Sequence, residues 1–299
     1  MRSGGKKKQP GANAVEAFPQ LDNTETHHHH HLMPRSSEQS RLSSEGGFYA
    51  SDALHAMEKG LQGDRPFGNT VAVMMETNTS AVPNFVPLVL HFASVLGPDW
   101  PIVIVTLEST WVVPASPAFR RLMDADRIRV TYLPAATDFP NRYAVSVFLA
   151  GPWFWEQFVS ADRMLIFQAD SILCSKAPAK VEDFLEWDLL GAPIAAQFGV
   201  GYNGGLSLRN PKLMLDIVND PSATFGPGDF EDQWFYKRAQ ERGAHLPTQR
   251  QAMRFAVETM YYKSPLGFHQ ASRFLKKHMN EFTEWCPELG MLSEMRFNE

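Results

Sequence analysis

Residues 70–106 read TVAVMMETNTSAVPNFVPLVLHFASVLGPDWPIVIVT, and the succession of textures in that stretch decides the fold. Thr70 to Met75 is a short run of β-branched and apolar residues. Val82 to Leu96 is a longer apolar-rich stretch that Gly97 and Pro98 bring to a stop, and Pro101 to Thr106 is a second short apolar run. Short β-rich runs suit strands, and a longer stretch ending at Gly-Pro suits a helix. Downstream, a helix containing Ala118 to Met123 leads into a third strand candidate, Ile128 to Leu133. Parallel strands need a crossover helix between them, so this alternation predicts βαβ units: an α/β fold with a mixed, mainly parallel sheet flanked by helices, in one domain. Ligands of such sheets sit beyond the carboxyl ends of the strands, so polar residues just after apolar runs are the first candidates for chemistry.

Upstream, residues 1–46 are rich in Gly, Lys, Gln, Ser and Asn and poor in branched apolar side chains. They bury too little surface to offset the entropy of ordering, and the expectation is a disordered tail. The His27–His31 tract within it reads as compositional, not catalytic. Residues 47–65 are expected to form a short helix, with Ala53, Leu54, Met57 and Leu61 on one face, and a linker. Residues 66–299 then make up the main domain.

With 44% hydrophobic and 20% charged residues, the 299-residue chain can bury a sizeable core. Its net charge of -5 and lack of a basic stripe speak against a nucleic-acid partner, because phosphate binding needs clustered Lys and Arg. Cys174 and Cys286, the 2 cysteines, are too few for a disulfide framework or a Cys-based zinc site and are expected as core fillers. The basic start, Met1 to Pro10, is not followed by an apolar segment, and no run of about 20 apolar residues could span a bilayer. On that reading there is no transmembrane segment and the location is cytoplasmic, or Golgi/secretory if the N-terminus is incomplete.

Chemistry concentrates later. The run Met164 to Phe167 ends in Gln168, Ala169 and Asp170 before Ile172 and Leu173 resume it. A carboxylate at the end of a buried strand is costly without a partner, and a hard divalent cation is one natural partner; capping of the following turn is the other reading. Asn203 to Arg209 combines Gly204 and Gly205, which permit positive φ and close backbone approach, with strand-like alternation after them. A loop lining a ligand pocket and an Asn-Gly hairpin turn both fit these residues. Asn210 and Pro211 cap a structural helix running to Val218. Glu231 and Asp232 then open a helix that ends near Gly243; either the macrodipole places two acids there or one of them is a general base. Trp153, Phe154 and Trp155 read as packing. Arg254 and Glu258 either support a site or pair on the surface.

Leu165 to Cys174, Asp183 to Asp188 running into Gly191, Ala192 and Pro193, and Asn203 to Arg209 together resemble DUF5672, a family of uncharacterised fungal and microbial proteins that look like glycosyltransferases of the GT-A fold. The resemblance covers Thr70 to Leu275, and Asn203 to Arg209 is its most specific part. It implies a GT-A-like, Rossmann-like catalytic domain that moves a sugar from a nucleotide-diphosphate donor to an acceptor hydroxyl with Mn²⁺ or Mg²⁺. GT-A enzymes bind the metal through an Asp-x-Asp motif at a strand end; here Gln168 stands where the first Asp would, leaving Asp170. By the same likeness a His after the acidic helix closes the metal site, so His269 is the second ligand, with Gly267 supplying the bend that turns it inward. Asp232 is the base of an inverting reaction and Glu231 orients the acceptor. Donor contacts are expected from Glu76 and Thr77 after the first strand, from Arg142 to the phosphate, and from Gln168, Asp170, Asn203, Gly204 and Gly205. A non-catalytic nucleotide-sugar or carbohydrate binding protein with a degenerate GT-A site is the alternative, and Gln168 favours it. A metal-dependent hydrolase or nucleotidyltransferase would need a second carboxylate near Asp170.

Overall fold

In the computed structural model the described residues are 66–292. The expected tail over 1–46 and the helix and linker over 47–65 lie outside them. The chain runs β1 (Thr70–Met75), α1 (Phe85–Leu96), β2 (Ile102–Thr106), α2 (Pro117–Asp124), β3 (Ile128–Tyr132), α3 (Arg142–Leu149), α4 (Trp153–Glu156), β4 (Arg163–Phe167) and β5 (Ser171–Leu173). It continues through β6 (Leu189–Pro193), β7 (Tyr202–Arg209), α5 (Pro211–Val218), α6 (Glu231–Glu241), α7 (Gln249–Phe255), β8 (Ala256–Val257), β9 (Gly267–His269), α8 (Ala271–Phe274) and α9 (Met279–Trp285).

The expected α/β class is what is found. A 6-stranded sheet has the order β3-β2-β1-β4-β7-β6, parallel from β3 to β4 and antiparallel where β7 joins β4 and β6. Its central strands are buried on both faces, which is why they read as continuous apolar runs. Successive residues point to opposite faces of a strand. Accordingly Ala72, Ile104, Leu165 and Phe167 pack on one side against Leu88 and Phe92 of α1, while Val71, Val103, Met164 and Ile166 pack on the other against Trp155, Met214, Ile217 and Phe235. The aromatic cluster Trp153 to Trp155 is packing, as expected: Phe154 and Trp155 are buried.

α1 starts at Phe85 rather than Val82. Val82 precedes Pro83 and is held extended, φ -101° and ψ 104°, after a short 3₁₀ turn at Thr79–Ala81. α5 keeps its predicted bounds because the Asn210 side chain accepts from the Leu213 amide at 3.3 Å with Pro211 at the first helical position.

The reading of the cysteines is corrected. Cys174 follows β5 and Cys286 follows α9, and the two sulfurs are bonded to each other, with Cα atoms 5.1 Å apart across a sequence separation of 112. Spacing along the chain carried no information about that proximity, because the small β5-β9-β8 sheet and the packing of α9 create it. Among the described residues no helix is long and apolar enough to cross a membrane.

Candidate active site

The site forms at the carboxyl edge of the parallel strands. β7 runs antiparallel to β4, with Phe167 opposite Leu206, so Gly204 and Gly205 lie level with the turn that follows β4. That turn is tied by Ser171, whose Oγ accepts from the Gln168 amide at 2.9 Å and donates to the Gln168 carbonyl at 2.8 Å. β5 then pairs antiparallel with β9, Ser171 opposite His269, which brings His269 beside Asp170 although the two are far apart in the chain. β8 lies parallel to β9 with Val257 opposite Phe268, so Glu258 emerges beside His269 as well.

His269 Nε2 is 3.0 Å from Asp170 Oδ1 and 3.1 Å from Gln168 Oε1, and Nδ1 is hydrogen-bonded to Glu258. Asp170, His269 and Glu258 are all buried. Burial pulls the His269 imidazole down, but the Asp170 and Glu258 carboxylates on either side outweigh it and carry its pKa up to about 10.

These residues fit a divalent cation. Among the described residues, both carboxylate oxygens of Asp170 are buried, Oδ1 has the His269 imidazole beside it at 3.0 Å, and Oδ2 receives no hydrogen bond, an arrangement that is costly unless a positive charge faces them. An imidazole nitrogen and an amide oxygen beside that carboxylate make an N,O,O set suited to Mn²⁺ or Mg²⁺. Glu258 is hydrogen-bonded to Nδ1, the position from which an outer carboxylate can orient an imidazole whose other nitrogen faces a cation. A second grouping of ligand types, Cys174, Cys286 and Glu288, offers no thiolates because its sulfurs are bonded to each other.

Gly204 and Gly205 correct the sequence reading in part. They lie within β7, not in a loop, and neither takes positive φ; in this region that conformation belongs to Gly199 and Gly201. What the pair supplies is room for side chains. A Cβ on Gly205 would sit 2.1 Å from His269 Nε2, and one on Gly204 would sit 2.5 Å from Glu231 Oε1 and 2.7 Å from Arg209 Nη2. Gly267, expected as a bend, is a strand residue whose Cβ would meet Leu206 Cδ2 at 2.6 Å and the Ile172 carbonyl at 2.7 Å, so it too is needed for close packing.

On the opposite face of β7, Arg209 is 1% exposed, grips Glu231 through both guanidinium nitrogens at 2.9 and 3.1 Å, and lies over the Trp155 and Phe235 rings. Asp232 caps nothing in the first turn of its own helix beyond the adjacent Gln233 amide, at 2.8 Å; its other oxygen accepts from the Gly204 amide at 3.2 Å. Burial first, and the neighbouring Glu231 charge second, push Asp232 up to about 7.

A cavity of about 420 Å³ joins the two halves. Glu76, Thr77, Arg142, Gln168, Asn203, Gly204, Gly205, Glu231, Asp232 and His269 line it, and Asp170 meets it through His269 and Gln168. Sequence reasoning left Glu258 open and missed the partner of Arg209. A signal existed: a charged residue ending the apolar strand Leu206 to Leu208 needs an opposite charge nearby. Arg254 does not pair with Glu258, for it is exposed on α7.

The fold and cavity together define an α/β protein with a ligand site at the carboxyl edge of its sheet. Residues 127–269, from just before β3 to His269 itself, match the family described as "Protein of unknown function (DUF5672)". No curated protein sequence matches the chain. Similar solved structures include the glycosyltransferase GlyE of Streptococcus pneumoniae TIGR4, at 12% identity over 61% of this chain and 46% of that one, TM-score 0.38. The mannosyltransferase PcManGT of Pyrobaculum calidifontis, in complex with GDP-Man and Mn²⁺, is 14% identical over 67% and 62%, TM-score 0.39. The galactosyltransferase LgtC, in complex with donor and acceptor sugar analogues, is 13% identical over 75% and 97%, TM-score 0.38. The chain thus spans about half the length of the first of these structures.

Proposed function

We propose that residues 66–299 form a metal-assisted, GT-A-like glycosyltransferase that moves a sugar from a nucleotide-diphosphate donor to an acceptor hydroxyl with inversion. The observation that carries this reading is the placement of two unlike chemistries on one cavity. A cation-fitting group of Asp170, His269 and Gln168 lies on one side of Gly204 and Gly205, and a carboxyl poised near neutrality, Asp232, lies on the other. A general base works best when its pKa is close to the operating pH.

In this mechanism Asp232 takes the proton of the acceptor hydroxyl as its oxygen bonds to the anomeric carbon. The bond from that carbon to the diphosphate oxygen breaks, and its electron pair leaves with the nucleoside diphosphate. Asp170 and His269, with Gln168, would hold Mn²⁺ or Mg²⁺, whose chemistry is to neutralise the charge developing on the diphosphate. Arg142 adds a fixed positive charge at the cavity wall. Glu76 and Thr77, at the end of β1, are the residues proposed for the nucleoside, and Asn203 for the sugar. Glu231, gripped by Arg209 through both of its oxygens, positions the base more than it touches an acceptor.

The test is release of nucleoside diphosphate from a panel of nucleotide sugars in the presence of Mn²⁺. Asp232→Asn should abolish release while leaving diphosphate binding intact; a fully active variant overturns the assignment. A second reading, a nucleotide-sugar or carbohydrate binding protein without catalysis, is favoured by Gln168 and by the ability of His269, as a cation, to balance Asp170 with no metal. Its signature is Mn²⁺-independent binding with no turnover.

A further inference from the structure

Phenyl rings stand at the mouth of the cavity near Asp232. Phe198 and Phe230 line it while 50% and 60% exposed, and Phe274 packs edge-on against Phe198 with ring centroids 5.3 Å apart. Most large apolar side chains among the described residues are buried, so rings left in water at a cavity entrance call for a purpose. The chain also invests in holding Phe198 there. Residues 198–201 lie against α6 through two glycines at positive φ: a Cβ on Gly199 would meet Gln233 Oε1 at 2.1 Å, and one on Gly201 would meet Tyr236 Cγ at 2.5 Å. The Gln233 amide closes the clamp, Nε2 donating to the Phe198 carbonyl at 3.2 Å and Oε1 accepting from the Val200 amide at 3.3 Å. Gln233 follows Asp232 directly, so the ring-bearing loop and the carboxyl are fixed to one helical turn.

Charge narrows the occupant. Asp232 and Glu231 present carboxyl groups on this side, the Arg209 guanidinium is already engaged by Glu231, and Arg142, the other arginine on the cavity wall, is the one proposed for the donor phosphate. Arg273 lies over the Phe274 ring at 5.2 Å and donates to Gln270 at 3.4 Å, on the rim and not among the cavity-lining side chains. A phosphorylated or carboxylated acceptor would place its anion against Asp232, at a Coulombic cost that grows as water is excluded. A neutral ring with one apolar C–H face and hydroxyls at its edge meets both demands, because the negative face of a phenyl ring attracts C–H groups and the edge hydroxyl can reach Asp232.

We propose that Phe198, Phe230 and Phe274, set by the Gln233 clamp, form an acceptor subsite for a neutral pyranoside. The fate of the bound hydroxyl rests on the glycosyltransferase reading; the binding itself does not. Saturation-transfer NMR on the full chain with methyl β-D-glucopyranoside, methyl β-D-galactopyranoside and methyl α-D-mannopyranoside tests it, with sorbitol and glucose 6-phosphate as controls. At least one pyranoside should receive saturation on its ring C–H protons, sorbitol none, and glucose 6-phosphate several-fold less. Phe198→Ala and Phe230→Ala remove exposed rings and should lower the signal several-fold without changing thermal unfolding. UDP and GDP binding with Mn²⁺, measured on the same samples, should not change. Absence of saturation with every pyranoside, a signal unaffected in the double variant, or a glucose 6-phosphate signal equal to the neutral sugars overturns the proposal, and the wild-type comparison decides it even if a variant fails to fold. Ring-dependent pyranoside binding without any nucleotide binding upholds the subsite and overturns the glycosyltransferase reading.

Discussion

Buried Arg209 and half-buried Glu231 form a two-pronged ion pair, with Nη1 and Nη2 2.9 and 3.1 Å from the two carboxylate oxygens. The pair lies directly beneath Gly204 and beside Asp232. It sets two adjacent acids in different surroundings: the guanidinium holds both oxygens of Glu231, while Asp232 reaches the cavity with no cation among the described residues bonded to it. Arg209→Met strands the Glu231 charge in the interior and should cost about 3–5 kcal/mol in urea unfolding. Arg209→Met combined with Glu231→Leu should recover most of that loss, and a double variant no better than the single one argues against the pair as the cause.

The Asp232 carboxyl, raised from 3.8 to about 7, makes stability depend on pH in a stated direction. Between those values the unfolded chain has given up the proton that the folded chain keeps, so unfolding binds fewer protons in U and stability falls as pH rises. The contribution is fully present below the unfolded value and gone above about 7. Asp232→Asn should therefore flatten the decline in urea stability between pH 4 and pH 7. In the enzyme reading, turnover should rise through the same window. Glu231→Gln should move that midpoint down and Arg209→Met should move it up, because Glu231 raises the Asp232 pKa and Arg209 lowers it.

Gly205→Ala should disturb the cation group selectively. Its Cβ would fall 2.1 Å from His269 Nε2, and the ring cannot swing freely because Glu258 holds Nδ1. The expected result is a folded protein whose thermal stabilisation by Mn²⁺ is lost, measured by calorimetry with and without the ion.

Glu258→Gln keeps the shape of the group and removes a charge. Loss of such an outer carboxylate lowers metal affinity about 10- to 100-fold, and isothermal titration with Mn²⁺ reads it directly. Unchanged affinity would mean that His269 is not a ligand.

The Cys174–Cys286 bond closes a loop across 112 positions. In the chain-entropy account a loop of that size contributes on the order of 4–5 kcal/mol. Reductant should lower the urea midpoint accordingly, and protein unfolded without reductant should show no titratable thiol.

Much of this molecule is legible before folding is considered. The parallel strands, α1, α5 and the start of α6 follow from apolar period, Gly-Pro stops and an Asn-Pro cap, because those signals act over a few adjacent residues. Gly204 and Gly205 were legible as a place of close approach but not as strand, since the same absence of a Cβ permits a turn and makes room for a neighbour. Glu258 was ambiguous for a different reason: a lone acid near an Arg reads equally as surface pair or site residue until β8 sets it against β9.

What the sequence determined by itself is the class of fold and the chemical types available at the strand ends, because local periodicity and residue chemistry need no knowledge of what lies across the sheet. Only the tertiary structure decided the partnerships: Asp170 with His269, Glu258 with His269, Arg209 with Glu231, and Cys174 with Cys286. Each joins residues distant in the chain, and their proximity comes from strand pairing and from the packing of helices on the sheet, which no short window of sequence contains.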